Sequence, residues 1–438
     1  MRNLVSGLSL ALVGSLQLAG CAGSDSAPAE DCLPGDQDCA PPGADGKADG
    51  FDYKNDPARM SQYLNYRLSE LPMRGKLTSP VWKARYPEAV GQVPVAWTDT
   101  YWPTYEGSHN ARWLGPEVKS PLEKYDAAFN NNPGCEAQPA SVCGTGSKEA
   151  WDAYYACTGP AAGWQSKNFQ GGGIMHDGID NNGDGAIDEC YGEDGADGIA
   201  GWWGTCHAWT PASLMVPEPQ HAVTVNGVTF EVADIKALAQ NIFDKTSAVM
   251  LGGRCNSQEI THDVNGSANE ACSDVNPGAL HVILTNFLGI AQLPLIEDRT
   301  ANFEVWNQPV VGYDVIAQTE TTPDAANACV GNTGSTWTYN PEAAQLFDVT
   351  TTVSYITEGN ASIRPLGFEP TYVRRDRYHY ILEVGATGKV IGGRFCTDST
   401  NTHVDFLWAP TGNNNPSNPN VNKANVLDLI AKSVAPQG

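Results

Sequence analysis

The chain has 438 residues, enough for two or three domains or for one large enzyme with a tail, and long enough to bury a real core. Its 50 acidic against 26 basic residues leave a formal charge of −24. That balance argues against nucleic acid and against charge-driven binding to anionic lipid, and it suits a soluble, calcium-rich exterior.

Residues 1–20 read as a secretion signal, with Arg2 as a short positive region, an apolar stretch from Leu4 to Leu18 and small residues at the end. Leu18-Ala19-Gly20-Cys21 resembles a bacterial lipobox, which implies lipidation of Cys21. The expectation is a bacterial lipoprotein, extracytoplasmic and anchored to the outer membrane or cell surface, because no other apolar run approaches transmembrane length. Residues 21–58 are dominated by Ala, Gly, Pro, Asp and Ser and cannot bury enough surface to fold, so they form a flexible acidic tether.

Residues 59–199 are expected to form an N-terminal helical and aromatic lobe; whether it is a removable propiece is left open. Met60, Tyr63, Leu64, Tyr66 and Leu68 give a helix-like pattern over residues 58–71, stopped by Pro72. A turn-rich aromatic block follows, from Trp97 through Trp102 and Tyr105 to Trp113, and a short helix is expected over residues 148–155.

His176 to Cys190 contains the front half of a calcium loop. Asp180, Asn182 and Asp184 alternate, Gly185 permits a sharp turn, and the carbonyl of Ala186 would face the ion. Tyr191 stands where a closing glutamate is usual, so Asp188, Glu189 or Glu193 would complete the shell around a structural calcium.

Residues 200–438 are expected to form the catalytic region. In Gly201-Trp202-Trp203-Gly204-Thr205-Cys206-His207-Ala208-Trp209, three tryptophans crowd one cysteine at a loop-to-helix junction. There the unpaired N–H groups and positive dipole end of a helix lower a thiol pKa. The alternative is a disulfide cysteine beside a structural tryptophan cluster. Of twelve cysteines, lipidation sets aside Cys21 and ten of the rest can pair, leaving one thiol. Cys206 has the only catalytic-looking setting. Local pairs Cys32–Cys39, Cys135–Cys143 and Cys255–Cys272 are expected, and the absence of C-x-x-C argues against structural zinc.

Downstream, the pattern predicts a helix from Cys206 to about Val216, a strand over Val228–Val232 and a helix over Ala233–Phe243. Asn276-Pro277 opens a helix whose apolar stripe is Leu280, Ile283, Leu284, Phe287 and Leu288, with Gly289 as its stop. Strands follow at Leu295–Ile296, Phe303–Ile316, Phe347–Ile356, Arg377–Val384, Lys389–Phe395 and His403–Trp408, then a terminal helix over Ala424–Val434. The fold class is therefore α+β: a helix-rich N-terminal half carrying the nucleophile, an antiparallel sheet in the C-terminal half, a papain- or transglutaminase-like cleft, and disulfide staples.

A thiol nucleophile needs a base and a group that orients it. His207 is adjacent on a helix and points away. His109, His176 and His221 lie in loops with no tie to the site, His262 in a surface loop, and His379 in a charged strand; for His403, a local ion pair with Asp405 suffices. His281 stands at the start of a capped helix, opposite its apolar stripe, and Asp298 follows at a strand end, giving the order Cys, His, Asp. An ordinary helix-cap histidine is the plainer reading of His281 taken alone.

Val305-Trp306-Asn307-Gln308-Pro309-Val310-Val311-Gly312-Tyr313 resembles the peptide signature of the oomycete transglutaminase elicitors, a family that also occurs as exported bacterial proteins. The resemblance extends to Trp97-Thr98-Asp99-Thr100-Tyr101-Trp102-Pro103-Thr104-Tyr105, the Trp-Trp-Gly-x-Cys-His-Ala-Trp core, Asn276 to His281, Gly392-Gly393 and His403 to Trp408, covering most of the chain from about residue 59. It implies a calcium-linked protein-glutamine γ-glutamyltransferase with Cys206, His281 and Asp298 at its centre. A Cys206 thiolate would attack a glutamine carboxamide, and the thioester would pass to a lysine amine. An indole N–H from Trp202, Trp203 or Trp102 is expected beside the Cys206 amide in the oxyanion hole, and the tryptophan walls would favour amine over water. The expected partners are proteins bearing glutamine and lysine side chains. The rival readings are a papain-like cysteine peptidase or amidase with the same residues, and a non-enzymatic calcium-binding surface lipoprotein.

Overall fold

A computed structural model describes residues 51, 54–136, 153–154, 156–169, 191–192, 199–254, 274–367, 370–400, 402–412 and 415–436. The signal, Cys21, most of the tether, the whole calcium loop and the pairs Cys32–Cys39 and Cys255–Cys272 lie outside the described residues.

The antiparallel sheet is the frame. Its strands are β1 (Arg74–Lys76), β6 (Ala248–Gly252), β7 (Ile296–Asp298), β8 (Asn307–Thr321), β9 (Ala343–Ile356), β10 (Val373–Gly385), β11 (Val390–Phe395) and β12 (Phe406–Pro410). They lie in the order β11-β10-β9-β8-β7-β12-β6, with β1 paired to β8 beyond the end of β7. Two small sheets stand apart: β2 (Tyr191–Gly192) with β3 (Ile199–Ala200), and the hairpin β4 (Val223–Val225) with β5 (Val228–Phe230). The hairpin turns on Asn226 and Gly227 at φ 51° and 80°, a left-handed pair that suits the twist of the flanking strands.

Besides the helical residues 153–154 and 156–157, seven α-helices occur among the described residues: α1 (Pro121–Phe129), α2 (Pro160–Phe169), α3 (Cys206–Met215), α4 (Val232–Phe243), α5 (Pro277–Leu284), α6 (Pro323–Cys329) and α7 (Lys423–Val434). Local signals start them. Ser120 and Glu123 form a capping box on α1, behind Pro121 at the first position. The Asn276 side chain accepts from Gly278 N at 2.8 Å and caps α5. All twelve residues of α4 are buried, because it packs between α3, α1 and α7.

The mixed helix and antiparallel-sheet architecture agrees with the expected class, and the long strands follow the predicted order with shifted ends. Two expectations fail. Residues 58–71 hold only 3-10 turns at Pro57–Arg59 and Leu68–Glu70. Tertiary hydrogen bonds take over there: Asn65 N donates to Asn286 Oδ1 at 2.8 Å, and Asn286 Nδ2 donates to Asn65 O at 2.8 Å. The helix at Asn276 does not run in α form to Gly289; α5 ends at Leu284 and a π-helical turn carries Thr285–Ala291.

The core runs continuously from the sheet into the helices. Trp97 and Trp209 are fully buried, with their indole N–H groups satisfied by Val216 O at 2.9 Å and Trp97 O at 3.1 Å. Two glycines are needed for close approach. A Cβ on Gly278 would stand 2.3 Å from Gly392 O, so α5 can lie on β11 only without a side chain there. At Gly204 it would stand 2.5 Å from Tyr101 O.

Candidate active site

Backbone bonds clamp the loop before α3. Thr205 N donates to Tyr101 O at 2.6 Å, Thr104 N to Trp203 O at 2.9 Å, and Tyr101 OH to Gly201 O at 2.7 Å. Cys206 is the first residue of α3 and fully buried. Thr205 does not cap the helix with its side chain; its hydroxyl instead donates to Gln240 Oε1 at 2.6 Å. The positive end of α3 therefore faces the Cys206 position without a side-chain oxygen in competition.

The sulfur sits over the start of β8. Asn307 Nδ2 donates to Cys206 Sγ at 3.6 Å, and Val305 O lies 3.8 Å from it. Asn307 Oδ1 accepts from Trp408 Nε1 at 2.7 Å, so one buried amide joins the sulfur to β12. Asn307 pairs with Asp298 across β8 and β7, which puts both side chains on one face, their Cβ atoms about 5 Å apart. Asp298 Oδ1 accepts from Trp306 N at 2.8 Å. Burial pushes the Asp298 carboxyl up to about 8, against the pull of the Trp306 and Thr300 amides and of Arg254 and Arg299.

Cys206 is disulfide-bonded. The described bonds are Cys135–Cys157 and Cys329–Cys396, so its partner lies outside the described residues. The expectation of a free thiol at Cys206 is thus corrected: parity fixes how many thiols are left over, not which one. Cys135 bonds Cys157 rather than Cys143, across a Cα separation of 5.4 Å.

Of the three expected catalytic residues, the structure brings Cys206 and Asp298 to the same short segment, 305–307. No hydrogen bond among the described residues joins His281 to either. His281 is 2% exposed, not on an open helix face, and Nδ1 is 2.9 Å from Tyr380 OH, which is 2.7 Å from Thr351 Oγ1. Burial lowers its pKa to about 4, so the ring is neutral. His403 pairs with Asp274 at 2.7 Å, not with Asp405, and stacks on Phe395. His109, which shows no tie to the site in the sequence, lies 3.4 Å from Thr205 Oγ1 behind the nucleophile loop. Burial foremost holds it at about 3, with His207 adding in the same direction.

The tryptophans divide. Trp202 packs edge-on against Trp203 and Phe303, with Arg254 5.5 Å from its ring centre. Trp102 packs instead against Ala233, Ala237 and the His109 ring. Sequence reasoning missed Asn307 as a contact of the sulfur and Trp408 as the group that holds Asn307, although both stand inside quoted motifs.

Residues 81–435 match the family model of the transglutaminase elicitors. The chain belongs to the transglutaminase elicitor family. It is similar to the crystal structure of the GP42 transglutaminase from Phytophthora sojae, at 26% identity over 86% of this chain and 96% of that one, with a TM-score of 0.59. No curated protein matches it. Family and shared fold together support a transglutaminase-type function for this elicitor-family chain. The matched residues span every contact of the sulfur described above.

Proposed function

We propose that this chain is a protein-glutamine γ-glutamyltransferase with Cys206 as its nucleophile. The observation that carries this reading is the position of Sγ at the start of α3, held by Asn307, which faces the buried Asp298 across β7 and β8. Because Cys206 is disulfide-bonded, thiol–disulfide exchange with a small dithiol must first release it, transferring the bond to the reductant.

The freed thiolate attacks the γ-carboxamide carbon of a protein glutamine. The Cys206 amide at the first helical position donates to the oxyanion. Asp298, whose pKa lies near that of a thiol, gives its proton to the departing ammonia and becomes a carboxylate. A lysine amine then attacks the thioester carbon and loses a proton to Asp298. Collapse breaks the carbon–sulfur bond, returns the thiolate and leaves an isopeptide. Water in place of the amine gives deamidation, and Trp202 and Trp203 restrict its approach on the Phe303 side. His281 is left out of this scheme, since its ring is anchored to Tyr380.

The sequence supports further proposals that no catalytic step depends on: a structural calcium held by Asp180, Asn182, Asp184, the Ala186 carbonyl, Asp188 and Glu189, and an extracytoplasmic location through lipidated Cys21. The deciding test is incorporation of dansylcadaverine into casein, with ammonia release measured in parallel. Activity is expected only after reduction and not in Cys206→Ala; undiminished incorporation by that variant rejects the assignment.

A further inference from the structure

The disulfide between Cys329, the last residue of α6, and Cys396, just past β11, lies against a histidine. His379 of β10 has Nε2 3.5 Å and Nδ1 3.9 Å from Cys329 Sγ, and ligand atoms of Cys329, His379 and Cys396 lie within 4.8 Å of one another. The ring also stands between two carboxylates. Nε2 is 2.9 Å from Asp348 Oδ1, and Nδ1 is 3.0 Å from Asp398 Oδ1. Asp348 shares a face of the sheet with His379, because His379 pairs with Thr350 across β10 and β9 and Asp348 is two residues along. The carboxylate side is open to solvent: the Asp348 and Asp398 side chains are 42% and 50% exposed, whereas Cys396 is buried.

A neutral imidazole donates from one nitrogen and accepts at the other. Between two carboxylates, one of its contacts therefore sets acceptor against acceptor, and a cation placed there, a second proton or a metal ion, removes the conflict. Arg377 NH1 lies 3.7 Å from Asp398 Oδ2, which leaves Asp348 as the carboxylate better placed for a metal. On a tetrahedral zinc, a thiolate and an imidazole nitrogen stand about 3.5 Å apart and two thiolates about 3.8 Å. The first spacing is already present at Cys329 and His379. The second is open to the two sulfurs once the bond between them is broken. The frame does not depend on that bond: Cys396 N donates to His379 O at 2.9 Å, Thr397 N to Cys329 O at 2.9 Å, and His379 N to Ser399 Oγ at 2.8 Å.

We infer that the reduced chain binds a zinc-like divalent cation through Cys329, Cys396, His379 Nε2 and Asp348, with Asp398 orienting the imidazole from behind through Nδ1. A dithiol opens the Cys329–Cys396 bond by exchange, leaving as its own disulfide and giving its two protons to the two sulfurs. The cation displaces both protons to solvent and takes the place between Nε2 and Asp348 Oδ1. The same cysteines thus join α6 to the end of β11 directly when oxidised and through a metal when reduced. Their separation of 67 residues is why no short ligand spacing announces the site. No step of the transfer reaction is involved.

The test follows the two thiols individually in the full chain. After reduction with a phosphine, which takes oxygen from water to become its oxide, alkylation of Cys329 and Cys396 by iodoacetamide is timed by peptide mass mapping over a zinc titration. Zinc should slow both thiols together at least tenfold. Cobalt(II) in its place should give the charge-transfer and visible bands of a tetrahedral thiolate site, with one equivalent lost in Cys329→Ser/Cys396→Ser. His379→Gln and Asp348→Asn should each weaken zinc protection at least tenfold, and Asp398→Asn about tenfold. Equal alkylation of either thiol with and without zinc overturns the site. So does full protection in either His379→Gln or Asp348→Asn, because the thiols would then bind zinc without this geometry. Both of those variants keep the cysteines, so they decide the matter even where the serine variant does not fold.

Discussion

Asn307→Asp probes the connection between the sulfur and Trp408 with a change of a single functional group. The aspartate keeps an oxygen for Trp408 Nε1, whose bond is 2.7 Å in the native chain, and replaces the amide donor that lies 3.6 Å from Sγ with a carboxyl oxygen. Two effects follow. A charge about 4 Å from the sulfur, at an effective dielectric near 20, disfavours the thiolate by about 4 kcal/mol, a ceiling of about three pH units. The new group also faces Asp298 directly across the β7–β8 pair, and Asp298 is already held neutral up to about 8. The two carboxyls share one proton before either ionises freely, which trims the effect on sulfur to one or two units. The assay is the pH dependence of iodoacetamide alkylation after mild reduction, with Cys206 followed by peptide mass mapping. The midpoint should move up by at least one unit. Asn307→Leu, by contrast, strands the Trp408 N–H in a buried site and should lower stability by about 2 kcal/mol without raising the midpoint comparably. An Asn307→Asp midpoint equal to that of the native protein refutes the claim that Asn307 sets the state of the sulfur.

His281→Gln should lower stability by about 1–2 kcal/mol through the lost Tyr380 contact, yet leave amine incorporation within threefold; a thousandfold loss of kcat would return His281 to the mechanism. Asp298, with its folded pKa raised to about 8, takes up a proton on folding, so its contribution is full below the ordinary carboxylate range and is lost as pH climbs from about 4 to 8. Urea midpoints of the native chain should therefore decline over that window more steeply than those of Asp298→Asn, and parallel curves would contradict the shift. Gly278→Ala places a methyl 2.3 Å from Gly392 O and should cost about 3 kcal/mol or more, readable as a fall in thermal midpoint, whereas an unchanged midpoint would mean that α5 and β11 do not pack so closely.

Where an element is announced by its own neighbours, the sequence is readable. Asn276-Pro277 marks α5 because cap and first turn are local, and Gly385 to Gly388 marks the β10–β11 hairpin for the same reason. The stretch 58–71 has a helical pattern but spends its backbone groups on Asn286, more than two hundred residues away, and nothing local foretells that. The expected open face at His281 fails for a related reason. The stripe of Leu280, Ile283 and Leu284 implies one wet face, yet all eight residues of α5 are buried, since β10 and β11 cover the side the pattern leaves polar. A polar residue on such a helix is a packed, hydrogen-bonded core group, which is what Tyr380 makes of the imidazole.

The nucleophile region was legible for a different reason. Tyr101, Val305, Asn307 and Trp408 come from three separated motifs; the first three touch Cys206 or the loop that carries it, and Trp408 holds Asn307. These contacts are specific to residue type: Asn307 must donate on one side and accept on the other, and Gly204 must lack a Cβ beside Tyr101 O. Aliphatic core positions tolerate exchange of volume for volume, but an amide with both functions engaged does not. Short polar motifs far apart in a chain are therefore more telling about a site than long apolar ones. The sulfur of Cys206 is where these converge, whichever state its disulfide is in.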